Sequence, residues 1–208
     1  MLYLSLFLTE NRASMKKRIV LADDDTITRL DLKESLEGAG YEVAGEADDG
    51  FDAIELCHKL NPDIVLLDIK MPMLDGLSAA KILYEEGAKI CVVMLTAYSD
   101  ENFVKKAGDF GVMGYIVKPV PENSLAPTIE IAWKRYNELL DAQKEIQKKE
   151  RELKQRKTIE RAKGIIMSKQ NMDEKSAYAY MRKVSMNKRL SMDKVAEIII
   201  MSDSIKNK

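Results

Sequence analysis

Five short apolar runs, each separated from the next by an amphipathic stretch, restrict the fold of this chain more than any other feature. They are "RIVLA" (18–22), "YEVAGEA" (41–47), "DIVLLD" (63–68), "ICVVML" (90–95) and "GYIVK" (114–118). Three of them are apolar almost throughout, as strands covered on both faces must be. The stretches between, 26–38, 50–60, 77–86 and 100–109, read as helices with glycine at or near several ends. Repeated strand–helix alternation predicts an α/β fold, a parallel sheet with helices on both faces. Ligands of such folds bind beyond the carboxyl ends of the strands.

That rule gathers chemistry at one rim. The first strand ends in "ADDD", placing Asp23 and Asp24 at its carboxyl edge; the third ends in Asp68, the fourth in Thr96, the fifth in Lys118 before Pro119. Clustered carboxylates repel one another unless a cation neutralises them. An all-oxygen set with room for water suits Mg²⁺, which takes only one or two carboxylates directly. A remaining carboxylate is then free to attack a phosphoryl group, with ammonium and hydroxyl donors on the transferring oxygens. Asp68, Lys118 and Thr96 supply that set. A lone Asp at a strand end is usually a cap, but suitable residues at so many strand ends argue for a site.

After Pro121 the pattern becomes helical. Ser124 can cap a helix with Pro127 at its third position, and no breaker follows until Gly164. Ala132, Leu139, Ile146 and Leu153 recur every seven residues; the companion positions Ile129 and Tyr136 are apolar, but Gln143, Glu150 and Lys157 are polar. A seam with half its knobs polar pairs helices weakly, so Ala132, Tyr136, Leu139, Ile146 and Leu153 are expected to form a conditional dimer contact. The alternative is a single helix packed on the front domain by its first two turns. Beyond it, Asn171 can close the helix, Asp173 caps "DEKSAYAYMRKVS" and Ser191 caps "SMDKVAEIIIM". The stripes Ala177, Tyr180, Met181, Val184 and Val195, Ile198, Ile199 are expected in the core of a small three-helix bundle.

The formal charge of −1 conceals a partition. Residues 16–122 hold 12 Lys and Arg against 21 Asp and Glu, whereas residues 155–208 hold 13 against 6. An acidic front and a basic tail imply modules with different partners, the tail facing a polyanion. Its cations gather as Arg156, Lys157, Arg161, Lys163 and Lys169, then Arg182, Lys183, Lys188 and Arg189, with Tyr178 and Tyr180 between them. An exposed tyrosine can stack an unpaired base. The last helix is too apolar to read base edges in duplex DNA, although a DNA-binding regulator and a protein-docking regulator without nucleic acid remain alternatives. Cys57 and Cys91 lack metal-ligand spacing and His58 is the only histidine, which fits a reducing cytoplasm and argues against zinc. The opening "MLYLSLFLTENRAS" is too short and too plain for a membrane span or signal peptide. It reads as an extension before a second start at Met15, and no membrane partner is expected.

"RIVLADDD", "IVLLDIKMPMLDG", "VVMLTA" and "GYIVKPV" resemble, in order, the signature blocks of bacterial response-regulator receiver domains. The likeness implies a flavodoxin-like, doubly wound five-stranded sheet with Asp68 as phosphoacceptor. It places Asp23, Asp24, Asp68 and the backbone carbonyl of Lys70 around Mg²⁺, Thr96 and Lys118 on the phosphoryl group, and Tyr115 as the switch aromatic. It also implies a cis Lys118–Pro119 bond. The tail "RKTIERAKGIIMSKQNMDEKSAYAYMRKVSMNKRLSMDKVAEIII" is similar to the ANTAR domain, an RNA-binding module of transcription antiterminators. The expected organisation is an extension (1–14), a receiver domain (15–122), a helical coiled-coil linker (123–154) and an ANTAR domain (155–208). Together the resemblances imply that a sensor histidine kinase phosphorylates Asp68, the chain dimerises, and paired bundles bind two adjacent RNA hairpins to prevent termination. Arg156, Arg161, Lys163, Gly164, Lys169, Tyr178, Arg182, Lys183, Lys188 and Arg189 are the expected RNA contacts. Gly164, a helix-interior glycine, has two explanations at this point: close packing of a neighbouring helix, or close approach of RNA.

Overall fold

The computed structural model describes residues 16–97, 110–121 and 123–206. The predicted extension and the predicted helix over 100–109 lie outside the described residues. β1 (Arg18–Ala22), β2 (Glu42–Ala47), β3 (Ile64–Asp68), β4 (Cys91–Ala97) and β5 (Val112–Lys118) form one parallel sheet in the order β2-β1-β3-β4-β5. The fold class is therefore as expected. Ile19, Val20, Ile64 to Leu67 and Cys91 to Leu95 are buried, because central strands have helices on both faces.

α1 (Thr26–Gly38), α2 (Gly50–Leu60) and α3 (Gly76–Glu85) each start at an aspartate cap: Asp25, Asp49 and Asp75 accept hydrogen bonds from the first-turn amides. Between β1 and β3 the strand order reverses, so the loops carrying Asp23 and Asp68 diverge and leave a crevice at the sheet's carboxyl edge. Gly76 is fixed by sterics rather than by turn geometry. A Cβ there would lie 2.0 Å from the Asp68 carbonyl oxygen, so only glycine lets α3 begin against the end of β3.

α4 (Leu125–Gln170) is a continuous helix of 46 residues with Pro127 at its third position. The Ser124 hydroxyl donates to the Pro121 carbonyl instead of capping the helix, whose first turn is met by the Ser124 carbonyl through Thr128. Close contacts divide the chain into a unit ending at Leu139 and a unit beginning at Leu140, well past the expected boundary at residue 122. The reason is burial. Leu125, Ile129, Ala132 and Tyr136 pack into the first unit, and Ala132 approaches to 3.1 Å from where a Cβ on Gly114 would stand. Glu130 receives hydrogen bonds from Lys17 at 2.7 Å and from the Tyr41 hydroxyl at 2.6 Å. This corrects the expected seam: Ala132, 1% exposed, and Tyr136, 7% exposed, are occupied within the chain. Leu139 (45%), Ile146 (58%) and Leu153 (59%) remain open to solvent.

In the second unit, α5 (Glu174–Lys188) and α6 (Met192–Lys206) pack with the end of α4 around Ala162, Ile166, Ala177, Met181, Val195 and Ala196. Asn171 adopts positive φ to end α4, and the Asp173 side chain caps α5 by accepting from the Ser176 amide at 2.7 Å. Three alanines in so small a core let the helices approach closely. Fully burying Met181 contributes about 1.5–3 kcal/mol. Tyr180 and Ile198, expected in this core, are instead 41% and 49% exposed. Each lies at the margin of its stripe, and the alanine core is too narrow to cover them.

The packing explanation of Gly164 also fails within this chain. Gly164 is exposed, and a Cβ added there meets nothing within 4 Å. Gly164→Ala should therefore stabilise the protein by about 0.5–1 kcal/mol through helix propensity alone. Thermal unfolding of the two full-length chains measures this, and a lowered midpoint would reveal a close contact at Gly164.

Candidate functional site

Successive aspartates after β1 do three different things. Asp23 is fully buried, Asp24 is exposed at the rim, and Asp25 caps α1, its carboxyl held low by the Ile27 amide and by Thr28. Asp68, at the end of β3, is buried too. Nζ of Lys118 bridges the buried pair, 2.6 Å from Asp23 Oδ2 and 2.8 Å from Asp68 Oδ2. Burial pushes the Asp23 carboxyl above its ordinary value, against the opposing pull of Lys118. Burial alone would lower the Lys118 ammonium, but the hydrogen bonds it donates to Asp23 and Asp68 prevail and raise it.

Oxygen atoms of Asp23, Asp24 and Asp68 lie within 4.8 Å of one another. Among the described residues the buried Asp23 Oδ2 meets no donor besides the Lys118 ammonium, so it stays an acceptor for positive charge. Three carboxylates beside an open cavity of about 470 Å³, lined by Asp24, Ile69, Lys70, Met71, Pro72 and Asp75, fit a divalent ion that retains water. The donor set suits Mg²⁺. Lys70 lines the same cavity as Asp24. Thr96 is buried at the end of β4, its hydroxyl donating to the Ala97 carbonyl at 3.1 Å. Tyr115 is half-buried against the core beside β4, which raises its phenol pKa, and the Lys118–Pro119 bond is cis. The thiols of Cys57 and Cys91 are pushed up to about 12 by burial and are chemically quiet.

The expected RNA contacts separate into two groups. Arg156, Arg161, Arg182, Lys183, Lys188 and Arg189 are exposed, as is Tyr178, while the Arg189 backbone closes α5 at positive φ. Lys163 does not join them. It is 6% exposed, and its Nζ lies 2.7 Å from Glu174 and 2.9 Å from Glu160, which together raise its pKa. Lys163 thus ties α4 to α5. Lys169 is half-exposed and ion-paired to Asp203 of α6. Sequence spacing placed both cations on the basic helix but gave no sign of their partners on α5 and α6.

Residues 19–130 match the response regulator receiver domain, and residues 147–200 match the ANTAR domain. The chain belongs to the response regulator family. The transcriptional regulatory protein PdtaR of Mycobacterium tuberculosis is 38% identical over 192 residues, spanning 92% of this chain and 93% of that relative. Among solved structures, the receiver domain of the response regulator NarL from M. tuberculosis aligns with a TM-score of 0.55 at 29% identity, covering 57% of this chain and 97% of that one. The CheX–CheY–BeF₃–Mg²⁺ complex of Borrelia burgdorferi aligns with a TM-score of 0.54 at 27% identity, covering 57% of this chain and 90% of that one. This response regulator is a phosphorylation-controlled regulator with an ANTAR RNA-binding module. Among its described residues no helix is long and apolar enough to cross a membrane.

The raised Asp23 pKa sets a pH dependence for this response regulator. A carboxyl raised by folding favours the metal-free fold while protonated, and that contribution is lost as pH rises through its folded pKa. Mg²⁺ should therefore raise the thermal midpoint more at about pH 7 than at about pH 5, where proton and metal compete. Asp23→Asn should raise the metal-free midpoint at neutral pH and remove the Mg²⁺ increment. An equal Mg²⁺ increment at both pH values would contradict the assignment.

Proposed function

We propose that this regulator takes a phosphoryl group on Asp68 from a sensor histidine kinase, dimerises, and holds two adjacent hairpins of a nascent transcript so that a terminator does not form. The observation that carries the reading is Lys118 poised on both buried carboxylates, Asp23 and Asp68, at one end of a chain whose other end is an ANTAR module.

In the first step an Asp68 oxygen attacks phosphorus. The bond from phosphorus to the kinase histidine nitrogen breaks, and that nitrogen keeps the electron pair. Asp23, Asp24, Asp68 and the Lys70 carbonyl would hold Mg²⁺, which supplies charge neutralisation for the attacking carboxylate and the transferring oxygens. Lys118 need travel little, since it already touches the attacking carboxylate. Thr96 turns its hydroxyl from the Ala97 carbonyl to a phosphoryl oxygen, and Tyr115 follows it inward. The same site returns the phosphate to water slowly, so the chain is a timed switch rather than a metabolic enzyme.

Leu139, Ile146 and Leu153 are the seam on which two copies pair. Their polar companions Gln143, Glu150 and Lys157 keep it weak, so a coupling of about 1–3 kcal/mol decides the population. On the ANTAR module, Tyr178, Arg182 and Lys183 of α5 present stacking and phosphate-binding groups together.

Asp68→Ala should abolish dimerisation driven by acetyl phosphate and Mg²⁺ in sedimentation experiments, leaving the fold intact. Phosphodonor-dependent dimers persisting in that variant would refute the switch. The full chain should bind hairpin RNA more tightly than duplex DNA of equal length, with affinity falling steeply as salt rises. Arg182→Ala should weaken RNA binding without changing the thermal midpoint, whereas equal or tighter binding to duplex DNA would favour a DNA-binding regulator.

A further inference from the structure

α1 carries, in its first turn, a residue that its own helix disfavours. Arg29 stands where the positive end of the helix dipole opposes a cation. Its side chain is nevertheless mostly buried, only 16% exposed. One terminal nitrogen of the guanidinium donates to the backbone carbonyl of Asp23, and Nε lies 3.7 Å from Oε2 of Glu46 in β2. Lys33, one turn further along α1, pairs with the other oxygen of Glu46, so that carboxylate is held from both sides. What Arg29 costs at the helix start is offset at the rim of the site.

This contact completes the restraint of Asp23. Its amide donates to the Ala47 carbonyl at 3.1 Å, its Oδ1 accepts the Asp25 amide at 3.1 Å, and its Oδ2 meets the Lys118 ammonium. The carbonyl is the remaining polar atom, and Arg29 takes it. A peptide unit is planar, so whatever fixes the Asp23 carbonyl also fixes the direction in which the chain leaves toward Asp24. Asp24 needs that direction set. Asp23 and Asp68 are held by burial and by Lys118, whereas Asp24 is exposed, and its place among the three carboxylates follows from its backbone.

Arginine suits this position and lysine does not. A planar fork offers donors in two fixed directions, here the carbonyl and Glu46, while an ammonium on a flexible stem is a single point of charge. A role for Arg29 through charge alone would have the opposite sign. A cation near three carboxylates competes with Mg²⁺, so removing the charge would tighten metal binding. Removing a contact that positions a ligand weakens it.

We propose that Arg29 is a positioning residue of the metal site: through the Asp23 carbonyl it sets the Asp23–Asp24 peptide, and with it the geometry in which Asp24 meets Mg²⁺. The inference rests on the Mg²⁺ reading of the site. It extends the site through Glu46 to β2, a strand that carries none of the expected metal ligands.

The test measures Mg²⁺ affinity of the unphosphorylated full chain by titration calorimetry at neutral pH, with thermal midpoints alongside. Arg29→Gln should weaken Mg²⁺ binding about tenfold, and Arg29→Lys should recover little of the loss. Glu46→Gln should weaken it less, because Arg29 keeps its bond to the carbonyl. In an Asp24→Asn background, itself weak in Mg²⁺, Arg29→Gln should cause no further loss, since both changes act on one ligand. Tighter binding by Arg29→Gln, or wild-type affinity in Arg29→Lys, would assign the role to charge and overturn the proposal. Unchanged affinity with a lowered midpoint would make Arg29 a structural tie only, and an additive loss in the Asp24→Asn background would place its action elsewhere; either result overturns the proposal. If the wild-type chain takes up no Mg²⁺, the metal reading falls, and the inference falls with it.

Discussion

The ammonium of Lys118 between Asp23 and Asp68 is the interaction on which the receiver depends. Asp23 is wholly buried and Asp68 nearly so, and two such carboxylates at a sheet edge would otherwise repel and lose hydration together. The topology makes this crowding unavoidable. β1 and β3 are paired neighbours ending at the same carboxyl edge, so Asp23 and Asp68 stand side by side before the loops diverge. Lys118 arrives from the far edge strand, β5, and its contact with both acids ties three strand ends into one electrostatic unit. Gly76 makes the unit possible from behind, because any side chain there would collide with the Asp68 carbonyl.

The same edge strand couples that unit to α4. Gly114 lies in β5 directly before Tyr115, and its missing side chain admits Ala132 of α4. Glu130, held by Lys17 and Tyr41, fastens the helix start to the chain's first described residues and to the residue before β2. Alternate residues of a strand face opposite sides of the sheet, so Gly114 and Tyr115 report to different layers. Any displacement of β5 would therefore bear directly on Ala132, which lies against Gly114.

The receiver was legible because its signals are local. Apolar runs bounded by aspartates and glycines located every strand, and the strand-end rule then collected Asp23, Asp24, Asp68, Thr96 and Lys118 without a structure. The second unit was legible only as helices and caps. Charge counting assigned Lys163 to the RNA face, but a count cannot see Glu174 folding back from the next helix to bury it. The heptad placed Ala132 and Tyr136 on a seam because period seven describes any helix that keeps one face apolar, whether that face meets a second copy or the chain's own sheet. Tyr180 and Ile198 were assigned to the core by spacing, yet a core built on Ala162, Ala177 and Ala196 draws the helices too close to reach them. Spacing gives direction around a helix; only the neighbour's size decides how wide the buried stripe is.

Gly164 shows how those limits meet. From the sequence it was a costly residue awaiting a close neighbour, and the bundle supplies none. Its cost of about 1 kcal/mol is therefore unrecovered inside a single copy. A helix that accepts such a cost beside the exposed Arg161 is shaped for something that arrives from outside. The excess positive charge of the tail sharpens this point. Part of it is spent internally, on Glu160, Glu174 and Asp203, to hold the bundle together. The remainder is concentrated on the exposed faces of α4 and α5, where it favours a polyanion.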